Sequence, residues 1–182
     1  MNPYAAPQTT QSFAGGHDVG GNSPFLAQAK QRLSSAGYVL ANNEAYENRL
    51  LVLTARHSGF ELTKFGFSEK FFVFQEFNHL DQHDLREFSA AAFEYARQHM
   101  KIFLPRGLGN SLWSYAVAIT KFADPAMLAS VQNDAPTKHM AAAEIPVVFD
   151  MSQNRLFYFE KTPLWGAAYY AGFRKTIQRM LT

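Results

Sequence analysis

The chain of 182 residues contains no cysteine. That removes disulfides, thiolate nucleophiles, iron–sulfur clusters and Cys-ligated zinc together. It also has little charge imbalance. Lys and Arg number 17 against 15 Asp and Glu, a formal net charge of +2. Nucleic acid and anionic membrane surfaces are recognised by much larger basic excesses, so neither is expected as a partner. No apolar run is long enough to span a bilayer. The first 21 residues, Met1 to Gly21, are small and polar, unlike a secretory signal. A cytoplasmic protein is the expectation.

What is present is apolar and aromatic. Hydrophobic residues make up 47% of the chain and aromatic ones 15%, including 17 Phe and 8 Tyr. This excludes whole-chain disorder and supplies a large core from few side chains. Residues 1–22 are rich in Gly, Gln, Thr, Ser and Pro without periodicity, and read as a flexible tail. Residues 23–182 read as one domain.

Helix starts are the clearest local signals. Ser23-Pro24, Asp124-Pro125 and Thr162-Pro163 each place a capping side chain before a proline, whose missing N–H is no loss at a first helical position. The first helix runs to about Ala36, with Gly37 in C-cap position. The last carries Trp165, Tyr169, Phe173 and Ile177 at helical spacing. A fourth helix starts at Asp81, with Asp84 as its negative first-turn residue and Leu85, Phe88 and Ala92 on one face.

Strands fill the rest. Leu50–Ala55, Phe60–Phe65 and Phe71–Phe77 read as an antiparallel meander with turns at His57-Ser58-Gly59 and Gly66-Phe67-Ser68-Glu69. Trp113–Thr120 is a further strand. Ile145–Phe149 and Arg155–Glu160 form a hairpin, and Pro146 marks the first as an edge strand or its beginning. The order is α-βββ-α-β-α-ββ-α. It predicts an α+β fold, a mainly antiparallel sheet of about five to six strands with four helices packed on it.

No stretch carries a complete catalytic pattern. His79, His83 and Asp84 are metal-ligand types in a tight cluster. Asp81 and Asp84 are already explained as helix start signals and no third ligand is spaced for the role, so no metal or cofactor is expected. Asp150, Glu160 and Lys161 have the residue types of a metal-dependent nuclease, but Glu160 and Lys161 are adjacent and so point to opposite strand faces. The Gly107–Ser111 loop follows a helix and precedes a strand, the reverse of a phosphate-binding loop. No Ser sits in a nucleophile-elbow pattern. The Phe65–Phe77 run interleaves acids with its lysines, which opposes a base-stacking surface.

Two functional readings remain. The leading one is a non-catalytic binding or assembly module that self-associates or takes a protein partner. It rests on the lack of a catalytic constellation, on a tail that could dock elsewhere, and on adjacent Phe71 and Phe72, which make one strand apolar on both faces, either covered on both sides or with one face in an interface. The alternative is a pocket for a small anionic molecule against the C-terminal helix, lined by Trp165, Tyr169, Tyr170 and Arg174 with Lys138 and His139 nearby. Gly166 and Gly172 in that helix suit close backbone approach. His57, at the first expected turn, is a second loop histidine of the same kind as His139.

Overall fold

The computed structural model describes residues 23–61, 66–101, 110–162 and 167–182. The fold is α+β. Four helices, α1 (Pro24–Ser35), α2 (Gln82–Gln98), α3 (Pro125–Asn133) and α4 (Ala167–Leu181), pack on a seven-stranded mixed sheet. The strands are β1 (Val39–Tyr46), β2 (Arg49–Glu61), β3 (Gly66–Leu80), β4 (Asn110–Ala123), β5 (Thr137–His139), β6 (Ala142–Asp150) and β7 (Arg155–Phe157).

Helix starts fall where short-range chemistry puts them. The Asp81 carboxylate accepts from the Asp84 amide at 2.8 Å, and that of Asp124 from the Ala126 amide at 2.7 Å. Ser23 occupies the cap position of α1, but its side chain makes no capping hydrogen bond. Gly37 follows at φ +80, the left-handed region that favours glycine. The start expected for α4 at Thr162-Pro163 runs into residues outside those described, as does the tail 1–22.

The strand boundaries differ from expectation. His57, Ser58 and Gly59 lie inside β2 and Gly66–Glu69 inside β3, so neither group is a turn. Cross-strand chemistry holds them there. Ser58 faces Glu69 in the β2–β3 register and its Oγ donates to that carboxylate at 3.2 Å, while the His57 ring sits 5.1 Å from Tyr38. β1 and β5 were not expected. β1 reads VLANNEAY, polar enough to pass for a loop, because as the edge strand it leaves much of its surface in water.

The sheet order is β1-β2-β3-β4-β6-β5, with β7 also on β6. β1–β2, β2–β3, β5–β6 and β6–β7 pair antiparallel, but β3–β4 and β4–β6 pair parallel. The two parallel pairings are made by crossovers through α2 and α3. Both step the same way across the sheet, and crossovers of one hand stepping one way put their helices on one face. Leu85, Phe88, Ala92 and Ala96 of α2 and Met127, Leu128 and Val131 of α3 accordingly share one core cluster. The opposite face would lie bare without the terminal helices. Phe25, Ala29 and Leu33 of α1 and Tyr170, Phe173 and Ile177 of α4 cover it.

This three-layer arrangement explains the two-faced strand. Phe71 and Val73 point into the α2/α3 core, Phe72 and Phe74 into the α1/α4 core. Strand β4 divides by size. Trp113, Tyr115, Val117 and Ile119 face α1 and α4, whereas Leu112, Ala116 and Ala118 face α2. Small residues on the strand, with Ala92 and Ala96 on the helix, let α2 lie close over the sheet centre. Near the edge the alternation shifts. Leu53 belongs to one core and Leu51 to the other, and Asn43, between their β1 partners Asn42 and Glu44, has φ +54.

Candidate functional site

The site begins with a gap. On the outer side of β6, β5 pairs from Ala142 to Glu144 and β7 from Val148 to Asp150. Residues 145–147 have no strand partner on that side, and Pro146 sits in the middle of them. A proline has no amide hydrogen to offer a ladder, so it is tolerated where no neighbour asks for one. The expectation that Pro146 marks an edge strand or its beginning is not met, because β6 starts at Ala142 and lies inside the sheet between β4 and β5/β7; the proline is tolerated only because it falls between the two outer pairings.

Above this gap lies a cleft of about 350 Å³. One wall is the first two turns of α2, which present Gln82, Leu85, Arg86 and Ser89 at helical i, i+3, i+4 and i+7 spacing. The other wall is the end of α3 and the segment after it, with Ser130, Val131, Asp134, Ala135, Pro136 and Thr137. Glu144 and Pro146 of β6 form the floor. Leu85, Val131 and Pro136 are buried, so the recess has an apolar lining with polar groups at set points.

The polar groups differ in how far they are already engaged. The Glu144 side chain is only 15% exposed, and its Oε1 lies 2.6 Å from His139 Nε2. The His139 ring in turn stacks on Phe93 of α2, with centroids 4.4 Å apart. Asp134 accepts from the Ser130 hydroxyl. Arg86 is exposed and makes no hydrogen bond or ion pair among the described residues.

The residues expected to form a pocket against α4 are distributed otherwise. Lys138 and His139 are consecutive on β5 and therefore face opposite sides of the sheet. Lys138 Nζ lies 4.3 Å from the centroid of the buried Tyr170 ring on α4, while His139 meets Phe93 on α2. Arg174 donates to the carbonyl oxygens of Glu160 and Lys161 at 3.1 and 2.7 Å and to Thr162 Oγ1 at 2.9 Å. Its guanidinium ties the segment after β7 to α4. Trp165 lies outside the described residues, and so does the side chain of Tyr169. A Cβ added at Gly172 would meet the Trp113 ring at 3.8 Å, which places that part of α4 against the sheet.

Among the described residues no group of three His, Asp or Glu side chains is placed to hold a metal ion. His79 is exposed on β3, His83 lies 3.6 Å from Glu87, and the Asp84 amide is taken by Asp81. Asp150 is buried, with its carboxylate accepting from the Ser152 amide, the Ser152 hydroxyl and Gln153 Nε2 at 2.8, 2.6 and 2.9 Å. Glu160 and Lys161 are exposed beyond the end of β7. His57 is in a strand rather than a loop, and burial with the nearby Lys70 charge lowers its pKa. Residues 102–109, which include most of the glycine loop, fall outside the described residues. No helix among the described residues is long and apolar enough to cross a membrane.

A second polar group joins the β1–β2 edge to α2. The Glu44 carboxylate accepts from Thr54 Oγ1 and from Tyr95 OH, each at 2.6 Å. Arg56 donates to the His99 carbonyl at 3.2 Å. Burial first, then the bond to Glu44, pushes the Tyr95 pKa up to about 12. The adjoining cavity of about 200 Å³ is smaller than the cleft. Its acid, hydroxyls and guanidinium are engaged with one another or with backbone, which marks it as a structural seam.

No family model matches the chain, and no curated protein or solved structure matches it.

Proposed function

We propose that the protein binds a small organic molecule in the cleft between α2, the end of α3 and β6. The observation that carries this reading is the cleft's composition. It is a recess of ligand-site size, at the lower end of the ~300–1,000 Å³ range, with an apolar lining and a few convergent polar groups. One of these, Arg86, has no partner among the described residues.

One support of the assembly reading is removed. The aromatic strand that suggested an interface is covered on both faces by helices. Exposed large apolar side chains include Val39, Leu50, Phe122, Met140 and Met151, on different strands and turns, and one cross-strand pair, Phe60 and Phe67, whose rings lie 5.3 Å apart. Two rings are a small patch, and small apolar patches are ordinary on a protein surface.

The test is a thermal-shift screen with small metabolites on the wild type and on Ala135→Trp. Ala135 is exposed on the cleft wall, so the indole fills the recess without entering the core. A ligand at about 100 times its Kd adds roughly 2.7 kcal/mol. For a chain of this size that raises Tm by about 5–10 °C. The shift should vanish in Ala135→Trp. A screen without a stabilising compound, or a shift that survives the indole, refutes the reading.

A further inference from the structure

We infer that the cleft selects a zwitterion of the α-amino-acid class, its carboxylate on Arg86 and its ammonium on Glu144; this rests on the cleft being the binding site. Three observations converge on it. The first is the state of Glu144. Its side chain is 15% exposed, its Oε1 is engaged by His139 Nε2, and its Oε2 makes no hydrogen bond among the described residues. That oxygen is open to a ligand donor, and an ammonium suits an anionic acceptor.

The second is the position of Arg86. It stands on the α2 wall, exposed and without a partner among the described residues. A guanidinium offers a planar fork that matches a carboxylate in bidentate fashion. The cleft therefore presents one cation, Arg86 on α2, and two carboxylates, Glu144 on β6 and Asp134 after α3, the latter engaged by the Ser130 hydroxyl. A ligand that is only an anion leaves the carboxylates unanswered, and one that is only a cation leaves Arg86 unanswered. The third observation is size and lining. The volume of about 350 Å³ and the apolar surfaces of Leu85, Val131 and Pro136 fit an apolar amino-acid side chain. A nucleotide needs more room and more cations.

The experiment is titration calorimetry with L-leucine, L-methionine and L-phenylalanine. For the tightest of these, the N-acetyl derivative lacks the ammonium and the amide lacks the carboxylate. At least one free amino acid should bind the wild type, and each derivative should bind about tenfold more weakly or worse. Arg86→Gln should weaken the free amino acid by about tenfold or more but leave the amide unchanged. Glu144→Gln should weaken the free amino acid but leave the N-acetyl derivative unchanged. Equal binding of the free and blocked forms overturns the inference, as does absence of binding by all three amino acids. The derivative series on the wild type decides the matter even if a variant fails to fold. If a metabolite that is not a zwitterion stabilises the wild type and Ala135→Trp abolishes that shift, the cleft stands as the site and the amino-acid assignment falls. If Ala135→Trp leaves every shift intact, both fall.

Discussion

Replacing Tyr95 by Phe removes one oxygen from the seam between the β1–β2 edge and α2. Its effect can be sized from the contacts. Tyr95 is 6% exposed, and its ring packs against Tyr46, Phe71 and His99 with centroids 5.3, 6.5 and 4.1 Å away. Phenylalanine keeps those ring contacts, so the change isolates the hydroxyl. That hydroxyl donates to the Glu44 carboxylate at 2.6 Å, the length of a charge-assisted bond. Such bonds contribute about 1.5–3 kcal/mol. The lower half of that range applies, because Thr54 Oγ1 still donates to Glu44 at 2.6 Å and the carboxylate is not left without a partner. The expected loss is about 1.5–2 kcal/mol, or about 3–8 °C in Tm for a chain of this length.

The assay is urea unfolding of the wild type, Tyr95→Phe, Glu44→Gln and the double variant. Residues in one hydrogen-bonded network should not behave additively. The cycle should return a coupling of about 1–2 kcal/mol. Coupling below about 0.5 kcal/mol, the scatter expected of independent sites, would show that the hydroxyl and the carboxylate do not depend on one another. The seam would then contribute shape rather than a hydrogen bond.

Two further outcomes follow from the same contacts. Burial pushes the Tyr38 pKa up to about 12, from an ordinary value of 10.0, as it does for Tyr95. The unfolded chain releases these protons near pH 10 and the folded chain holds them to about pH 12. Their stabilisation is therefore complete below pH 10 and is lost as pH rises from 10 to 12. Urea midpoints measured across that window should fall, and Tyr38→Phe and Tyr95→Phe should each make the fall shallower; equal slopes in all three proteins would contradict the assignment. Arg174→Ala should speed amide hydrogen exchange in residues 158–162, which the guanidinium ties to α4, and should leave binding in the cleft unchanged. Loss of binding instead would return the site to the α4 side of the sheet.

How much of this was readable in the sequence depends on the range of the cause. Asp81 and Asp124 announce their helices because the carboxylate and the amides it accepts from are two or three residues apart. Gly37 does the same at the end of α1. The strands were misread where long-range partners override local preference. Ser58 and Gly59 carry turn chemistry, yet Ser58 is held in β2 by a glutamate eleven residues on. Parallel pairing was illegible for a related reason. The segment β3-α2-β4-α3-β6 is two crossover units, but the hairpins on either side of it dominate the pattern by which sheet direction is judged.

The cleft was illegible for a stricter reason. Two of its three charged groups, Arg86 and Glu144, are 58 residues apart, and with Asp134 they belong to no motif. What brings them together is a pair of boundaries. β5 begins only at Thr137, opposite Glu144, and α3 has already ended at Asn133. Had β5 continued past Glu144, Pro146 would face a strand it cannot bond, and the recess would close. Pro146 and Pro136, which precedes β5 and would face Ile145 if the register ran on, forecast the opening, since neither can donate to the pairing that would fill it. The prolines alone cannot say which side chains will look into the gap. That is decided by the crossovers that put α2 and α3 on the same face, and with them Arg86 in one cleft with Glu144. A variant that restores the missing amide, Pro146→Val, removes the ban on pairing on the cleft floor without altering the charges, so β6 becomes competent to take an added strand. The zwitterion is recognised by the two charges, and the proline serves only to keep the space between them unoccupied.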